Sequence, residues 1–332
     1  MNSIGDSAGA EAPARAPGAR TFGACPSGAC PLPVICGPTA SGKSALALQL
    51  AQQFSGAIIS ADSRQVYRGF DIGTAKPGAA ELARVPHCGI DVAEPDERYT
   101  AADWAAAVPG WIHEIRSNGR RPIVVGGTGF YLRALFAPLF EEPAVDPIVR
   151  ASVREVLGSM SGEEIKRWCE VLDPPRAALG RAQRERAVEV ALITGRRISE
   201  LHLERPRAAA LTARYLLIDP GNSLAGAIVT RTDAMLSAGW LDEVRLLAQR
   251  VSQDARAWTA TGYDTMRRVT TGELTLEQGR ELVIVATRQY AKRQRTWFRH
   301  QLVGERVMQL DPRAPDALER AVEWFNSEER DG

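Results

Sequence analysis

The fold of this chain is decided by the stretch Gly37-Pro38-Thr39-Ala40-Ser41-Gly42-Lys43-Ser44. It fits the pattern G-x-x-x-x-G-K-[ST] and stands between a short apolar run, Leu32–Cys36, and apolar positions at helical spacing. The glycines let the backbone wrap around a phosphate, and the amides at the helix start point towards it. Lys43 adds a full positive charge, and Ser44 offers a hydroxyl to Mg²⁺. The stretch therefore predicts a strand, a loop that binds a diphosphate-like group, and a helix.

Two further strands are predicted at Ala57–Ile59 and Ile123–Val125, with a helix from Trp104 to Ile115 between them. Such alternation predicts a parallel sheet covered by helices on both faces. After about residue 140 the strand signals fade and helical periodicity dominates. The predicted fold class is α/β, with a P-loop NTPase-like parallel sheet core, a helical insertion domain and a helical C-terminal part.

Composition and periodicity divide the chain into five predicted parts. Residues 1–30 are rich in Ala, Gly, Pro and Ser, which predicts a disordered tail. Residues 31–140 form the first part of the P-loop α/β core, and 141–205 form the helical insertion. The core returns, with basic C-terminal helices, over 206–310, and a C-terminal extension follows at 311–332.

The overall composition is that of a soluble globular protein. The chain has 332 residues, 45% of them hydrophobic and 24% charged, with a net charge of +1. These values exclude a coiled coil and a disordered chain, and no stretch approaches the ~20 apolar residues of a membrane helix. Five cysteines without a CxxC pair predict neither a disulfide framework nor a zinc site. We expect a cytoplasmic protein, and a monomer because no heptad pattern is present.

A carboxylate and a hydroxyl follow the second and third predicted strands. Asp62 comes directly after the second strand, and Thr128 lies in the glycine-rich turn Gly126–Gly129 after the third. Ligands bind at the carboxyl ends of strands in open α/β sheets. At that edge Asp62 can hold Mg²⁺, orient a hydroxyl or act as a general base, and it can also merely cap a turn.

The segment from Leu282 to Gly304 contains no acidic residue. Its cations are interleaved with aromatic rings, a pattern that suits single-stranded RNA and also fits a solvated helix face with its rings in the core. The basic and aromatic residues are Arg288, Tyr290, Lys292, Arg293, Arg295, Trp297, Phe298 and Arg299.

An ordered series of motifs resembles the bacterial tRNA dimethylallyltransferases, the IPP transferase family. After the phosphate loop come ISADSRQVYRGFDIGTAKP at Ile59–Pro77 and GGTGFYLRAL at Gly126–Leu135. Gly262-Tyr263 and YAKRQRTWFR at Tyr290–Arg299 complete the series. The resemblance runs from about Val34 to His300.

The resemblance implies transfer of a dimethylallyl group from dimethylallyl diphosphate to N6 of a tRNA adenosine. The adenosine is 3′-adjacent to the anticodon in tRNAs reading codons that start with U, and the family uses Mg²⁺. By resemblance Asp62 is the general base, Thr128 contacts the target adenosine, and Lys43 with the loop binds the diphosphate, Mg²⁺ lying near Ser44. The adenosine must leave its stack to react.

The resemblance also implies a set of tRNA contacts, in the core, the insertion and the basic segment. They are Asp62, Ser63, Arg64, Gln65, Thr128, Arg150, Gln183, Arg184, Arg186, Gly262, Tyr263, Lys292, Arg293, Gln294, Arg295 and Arg299.

The chain departs from the family pattern in its insertion. The segment before Gln183 is shorter and lacks a P-N-D motif, and Gln183 stands where an Arg is expected. Asp264 likewise follows Tyr263 where a basic residue often stands. Three alternatives are a P-loop small-molecule kinase, a prenyltransferase acting on free AMP or ADP, and a non-catalytic RNA-binding protein.

Overall fold

A computed structural model describes residues 31–137, 145–204, 211–302 and 306–327. The predicted tail at 1–30 lies outside these residues. Within them, no helix is both long and apolar enough to cross a membrane.

The described residues form one parallel sheet in the order β3-β2-β4-β1-β5-β6. Every pairing in it is parallel, which confirms the predicted α/β core. The strands are β1 Leu32–Cys36, β2 Gly56–Ser60, β3 His87–Cys88, β4 Arg121–Gly126, β5 Ala213–Ile218 and β6 Val307–Leu310.

Helices cover the sheet and continue beyond it. The helices are α1 Lys43–Gln53, α2 Ala79–Arg84, α3 Ala101–Ser117, α4 Gly129–Phe136, α5 Pro147–Ser159, α6 Gly162–Leu172, α7 Arg181–Thr194, α8 Ile198–Glu204, α9 Leu224–Ser237, α10 Trp240–Ala248, α11 Tyr263–Thr270, α12 Leu276–Gln301 and α13 Ala317–Asn326. Short 3₁₀ turns lie at Pro174–Arg176, Gly221–Ser223 and Arg256–Thr259.

Two strands lie beyond residue 140, where the sequence shows only fading strand signals and predicts a helical return of the core. Strand β5 pairs with β1 along its whole length, and β6 pairs with β5 at the edge of the sheet. The apolar run Tyr215–Ile218 is short, and periodicity alone does not distinguish a buried strand from a helix at that length. The two-residue β3 was also missed, so the expected third strand is β4.

The end of the chain completes one face of the sheet. Helix α13 places Phe325 against Phe54 of the segment after α1, with ring centroids 4.9 Å apart. Arg214 of β5 donates hydrogen bonds to the Trp324 and Phe325 carbonyls, and its guanidinium lies over the Trp324 ring. Helix α13 therefore packs against the core. The division of the chain into domains stays a prediction.

Helices α5 to α8 carry a hydrophobic cluster of their own. Leu157, Ile165, Val188 and Ile198 are buried in it, apart from the two clusters that flank the sheet. These helices therefore bury their apolar faces mainly against one another, as the helical periodicity predicts.

The carboxyl ends of β1, β2 and β4 meet at one edge of the sheet. Cys36 of β1 pairs with Gly126 of β4, and Ser60 of β2 pairs with Val125. The phosphate loop, the segment after Ser60 and the glycine-rich turn after β4 therefore emerge side by side, which is where the candidate site lies.

Candidate active site

The phosphate loop adopts the tight wrap that its glycines predict. Gly42, just before α1, has φ +87°, a left-handed conformation that glycine adopts without strain. A Cβ on Gly37 would lie 2.3 Å from the Ile218 carbonyl oxygen, so only glycine fits between β1 and β5 there. The loop thus leads directly into the start of α1, where backbone amides favour an anion.

Lys43 is buried at the base of this loop. Its ammonium donates a hydrogen bond to the Pro38 carbonyl over 3.3 Å. Burial, followed by the positive charge of Arg231, lowers the pKa of Lys43 to about 8, while the charge of Asp62 acts in the opposite direction. The ammonium is held close to where a bound diphosphate would lie.

Arg231 of α9 is a second cation at the site, and the sequence analysis missed it. It lines the same cleft as Thr39 and Asp62. Burial lowers the pKa of its guanidinium, and the charge of Asp62 partly offsets that effect. A lone arginine in the middle of a helix carries little sequence signal, because only folding brings α9 to the phosphate loop.

Asp62, in the segment after β2, lines the cleft together with Arg231. Its Oδ1 accepts a hydrogen bond from the Arg64 N–H over 2.9 Å, which fixes the turn. Its charge acts on Lys43, Arg231 and Tyr290. Asp62 thus both caps the turn and places a half-buried carboxylate in the cleft.

Thr128 and Tyr290 stand next to Asp62. The Thr128 Oγ1 accepts a hydrogen bond from the Ser63 N–H over 3.1 Å, which ties the turn after β4 to the segment after β2. Burial, then the charge of Asp62, raises the pKa of Tyr290 to about 12, and a hydrogen bond with Thr128 acts in the opposite direction. The Tyr290 hydroxyl is therefore neutral at ordinary pH.

The cleft has a polar side and an apolar side. The polar side is formed by the charged and hydroxyl side chains described above, together with threonines of α9 and α12. The apolar wall is formed by Met235, Trp240, Ala260 and Val283. An occupant with a charged head at the loop and a short hydrocarbon chain along this wall matches the lining.

A hydrogen-bonded network holds the loop at residues 71–74 that closes one side of the cleft. Glu243 accepts hydrogen bonds from the Ile72 N–H over 2.6 Å and from the Tyr263 hydroxyl over 2.6 Å. The Tyr263 oxygen in turn accepts from the Gly73 N–H over 3.1 Å. A Cβ on Gly73 would lie 2.2 Å from the Trp240 Nε1, so the loop lies directly on the indole.

The residues with predicted tRNA contacts fall into two groups, and the contacts themselves stay predictions. Gln65, Tyr263 and Gln294 have their polar atoms bonded within the protein. Arg295 is bonded to Asp219 and to the Gly221 carbonyl. These four hold the site together from within.

The members of the second group are exposed or half-buried. Lys292, Arg293 and Arg299 are exposed on α12, and Arg64 reaches from the segment after β2 to the Thr259 hydroxyl over 2.7 Å. Gly262 is left-handed at φ +93° and lies over Trp240. On the insertion the structure places Arg150, Gln183, Arg184 and Arg186 in helices α5 and α7.

The oxygen atoms near the phosphate loop suit a hard divalent cation that would also bind the oxygens of a bound phosphate group. Ser44 is exposed at the start of α1, and Asp62 is close enough to influence Lys43 beside it. A hydroxyl, a carboxylate and phosphate oxygens are ligands that Mg²⁺ accepts, with water completing the shell. Among the described residues, no group of three or more His, Cys, Asp or Glu side chains forms an all-protein metal site.

The fold and the cleft together define a class: a phosphate-loop α/β enzyme whose loop faces an apolar wall. Two family models match, "IPP transferase" over residues 65–301 and "Isopentenyl transferase" over residues 31–91. The first covers most of the chain. The chain therefore belongs to the IPP transferase family.

Curated relatives and solved structures agree with this assignment. A protein named tRNA dimethylallyltransferase from Acaryochloris marina is 41% identical over 80% of this chain and 88% of its own length. One of the same name from Halorhodospira halophila is 41% identical over 88% of this chain and 96% of its own length. A tRNA isopentenylpyrophosphate transferase structure from Bacillus halodurans is 31% identical, with a TM-score of 0.63, over 90% of this chain and 96% of its own. The structure of a eukaryotic dimethylallyltransferase acting on tRNA is 28% identical, with a TM-score of 0.75, over 88% of this chain and 77% of its own.

Proposed function

We propose that this chain transfers the dimethylallyl group of dimethylallyl diphosphate to N6 of the adenosine 3′-adjacent to the anticodon, in tRNAs that read codons starting with U. Diphosphate is released. The observation that carries this proposal is the position of Asp62, between the cationic phosphate loop and an apolar wall. The names of the relatives, tRNA dimethylallyltransferase, support the same reaction.

The proposed role of Asp62 follows from the chemistry of the acceptor. An exocyclic adenine amine is a weak nucleophile because its lone pair is delocalised into the ring. As its bond to the allyl carbon forms, the N–H becomes acidic, and a carboxylate beside it can take the proton. Asp62 is fixed by the Arg64 N–H and directed into the cleft, so it is the candidate base.

The leaving diphosphate is stabilised by fixed positive charge. Arg231 lines the cleft, Lys43 lies close enough to interact electrostatically with Arg231 and Asp62, and the α1 amides add a partial positive charge. Mg²⁺, held by the Ser44 hydroxyl, would neutralise diphosphate charge when bound. The hydroxyls of Thr128 and Tyr290, next to Asp62, can then form hydrogen bonds with the adenine edge or the ribose.

The cleft favours this reaction over the alternatives. A kinase needs a polar pocket for its phosphate acceptor, whereas the wall opposite the loop is apolar. An enzyme for free AMP or ADP has no need of exposed cations such as Lys292 and Arg293 along α12. A tRNA substrate also fits the expected cytoplasmic location. The monomeric state stays a prediction.

The proposal is tested by product analysis. Purified protein is incubated with Mg²⁺, dimethylallyl diphosphate and an unmodified anticodon stem-loop, which is then digested to nucleosides and analysed by mass spectrometry. We expect N6-dimethylallyladenosine from the target position and free diphosphate in equal amount. Unmodified nucleosides, together with hydrolysis of ATP in a parallel reaction, would favour a kinase instead.

A further inference from the structure

Arginines from separate parts of the chain gather beside the candidate site. Three of them belong to the insertion helices α5 and α7, and two belong to core loops. We call the group the arginine cluster, and its members are Arg98, Arg150, Arg154, Arg186 and Arg256.

One buried carboxylate organises the insertion half of the cluster. Glu189 of α7 is 4% exposed, and its Oε1 lies 2.7 Å from Arg186, 3.1 Å from Arg154 and 3.3 Å from Arg150. Three guanidinium groups thus converge on a single negative charge.

The core half of the cluster is brought together by backbone contact. The Ala257 N–H donates a hydrogen bond to the Pro95 carbonyl over 3.1 Å, which joins the turn bearing Arg256 to the loop bearing Arg98. Both arginines are exposed. Within the described part of the chain, neither guanidinium has an ion-pair partner.

The two halves lie close enough for their charges to interact. Partial burial lowers the pKa of Arg98 first, and the positive charges of Arg154, Arg256, Arg150 and Arg186 lower it further. Each of these neighbouring charges is repulsive. Like charges gathered in this way raise the energy of the free protein unless an anion joins them.

The cluster is connected to the reacting end of the cleft. Arg64, which bonds to Asp62 through its N–H, donates from its guanidinium to the Thr259 hydroxyl over 2.7 Å. That hydroxyl donates to the Arg256 carbonyl over 2.7 Å. A chain of hydrogen bonds through Arg64 and Thr259 therefore links the candidate base, Asp62, to the backbone of Arg256.

We propose that the arginine cluster binds backbone phosphates of the tRNA nucleotides that flank the target adenosine, with Arg98 and Arg256 as phosphate-contacting residues. This inference rests on the proposed function, because it assumes an RNA chain leading into the cleft. The planar guanidinium fork suits phosphate oxygens, and a phosphate would supply the ion-pair partner that Arg98 and Arg256 lack in the described part of the chain. Arg98 and Arg256 belong to no motif singled out in the sequence.

The test compares two double variants of equal charge change. R98A/R256A removes the core half of the cluster, and R84A/R116A removes two exposed arginines on α2 and α3. Binding of a fluorescent, unmodified anticodon stem-loop is measured over a series of salt concentrations. For R98A/R256A we expect ~10-fold weaker binding at low salt and a slope of log K against log salt that is shallower by about 1.4, and no such change for R84A/R116A.

Two further readouts separate this inference from the proposed function. Affinity for dimethylallyl diphosphate and kcat at saturating RNA should stay within about twofold of wild type in R98A/R256A, since neither residue touches the reacting atoms. Equal salt slopes for the two double variants would overturn the inference while wild-type prenyl transfer stands. A shallower slope in R98A/R256A, with no transfer by the wild type, would keep the phosphate site and overturn the proposed function.

Discussion

Gln294 accepts a hydrogen bond from the backbone N–H of Thr39 over 2.8 Å, although 255 positions separate the two residues in the chain. The same side chain donates to the Gly127 carbonyl over 2.8 Å. One amide on α12 thus joins the phosphate loop to the turn after β4. The helix that carries the exposed cations Lys292 and Arg293 is therefore also part of the diphosphate site.

The substitution Gln294→Ala should loosen the phosphate loop. It leaves the Thr39 N–H and the Gly127 carbonyl without their partner, at a cost of about 1–3 kcal/mol in the free energy of unfolding. We expect a lower melting temperature and a higher KM for dimethylallyl diphosphate. Gln289→Ala, exposed on the same helix, is the control. Equal melting temperatures and equal KM values in the two variants would contradict the role of Gln294.

The substitution Asp62→Ala should affect turnover far more than binding. A general base contributes roughly 10²-fold or more, so we expect kcat to fall by at least that factor. Affinity for dimethylallyl diphosphate and for the stem-loop should stay close to wild type, measured by calorimetry and fluorescence. Because Asp62 also fixes the turn at Arg64, Asp62→Asn serves as a second variant that keeps a hydrogen-bond acceptor. A wild-type kcat in Asp62→Asn would remove Asp62 as the base.

The sequence predicts the centre of this site better than its surroundings. The phosphate loop, Asp62 and Thr128 each follow a strand that an apolar run marks, and parallel strands place their carboxyl ends together. Arg231 and the Glu243–Tyr263 network were missed because they depend on how α9, α10 and α11 fold back on the sheet. No local sequence pattern shows how these three helices pack against the sheet.

The same limit explains the strands that the sequence did not predict. The short apolar run of β5 has no periodicity that would distinguish a buried strand from a buried helix. Strand β3 has only two residues, too few for any periodicity. The mixed role of α12 is a further case. Its sequence predicts a basic RNA-binding face or a solvated helix, while the structure shows that one face also carries Gln294 into the core.

The affinity for dimethylallyl diphosphate should depend on pH through Lys43. Its pKa is lowered to about 8, first by burial and then by Arg231, so the free protein loses this charge as the pH rises through that value. Bound diphosphate favours the charged ammonium, so binding takes up a proton and weakens above about pH 8. We expect kcat/KM for the diphosphate to fall in that range.

Lys43→Arg provides the control for this pH dependence. An arginine stays charged throughout the range, so the decline above about pH 8 should disappear even where the absolute affinity is lower. The measurement is kcat/KM and calorimetric affinity at a fixed Mg²⁺ concentration. A decline of equal size in Lys43→Arg would assign the titration to another group.

The substitution Arg293→Ala should weaken RNA binding without affecting the fold. Arg293 is exposed, with its guanidinium 5.8 Å from the Tyr290 ring centroid. We expect weaker stem-loop binding, a salt slope shallower by about 0.7, and an unchanged melting temperature. Arg295→Ala should instead lower the melting temperature, since Arg295 bonds to Asp219 and the Gly221 carbonyl. Loss of stability in Arg293→Ala, with RNA affinity intact, would reverse this assignment.

The most direct test of prenyl transfer to tRNA is a single labelling experiment. The protein and Mg²⁺ are incubated with radiolabelled dimethylallyl diphosphate and, in parallel, with three acceptors. They are an unmodified anticodon stem-loop with adenosine at the target position, the same stem-loop with guanosine there, and AMP. Prenyl transfer to tRNA predicts label in the adenosine stem-loop alone. Label in AMP, or in none of the three, would contradict it.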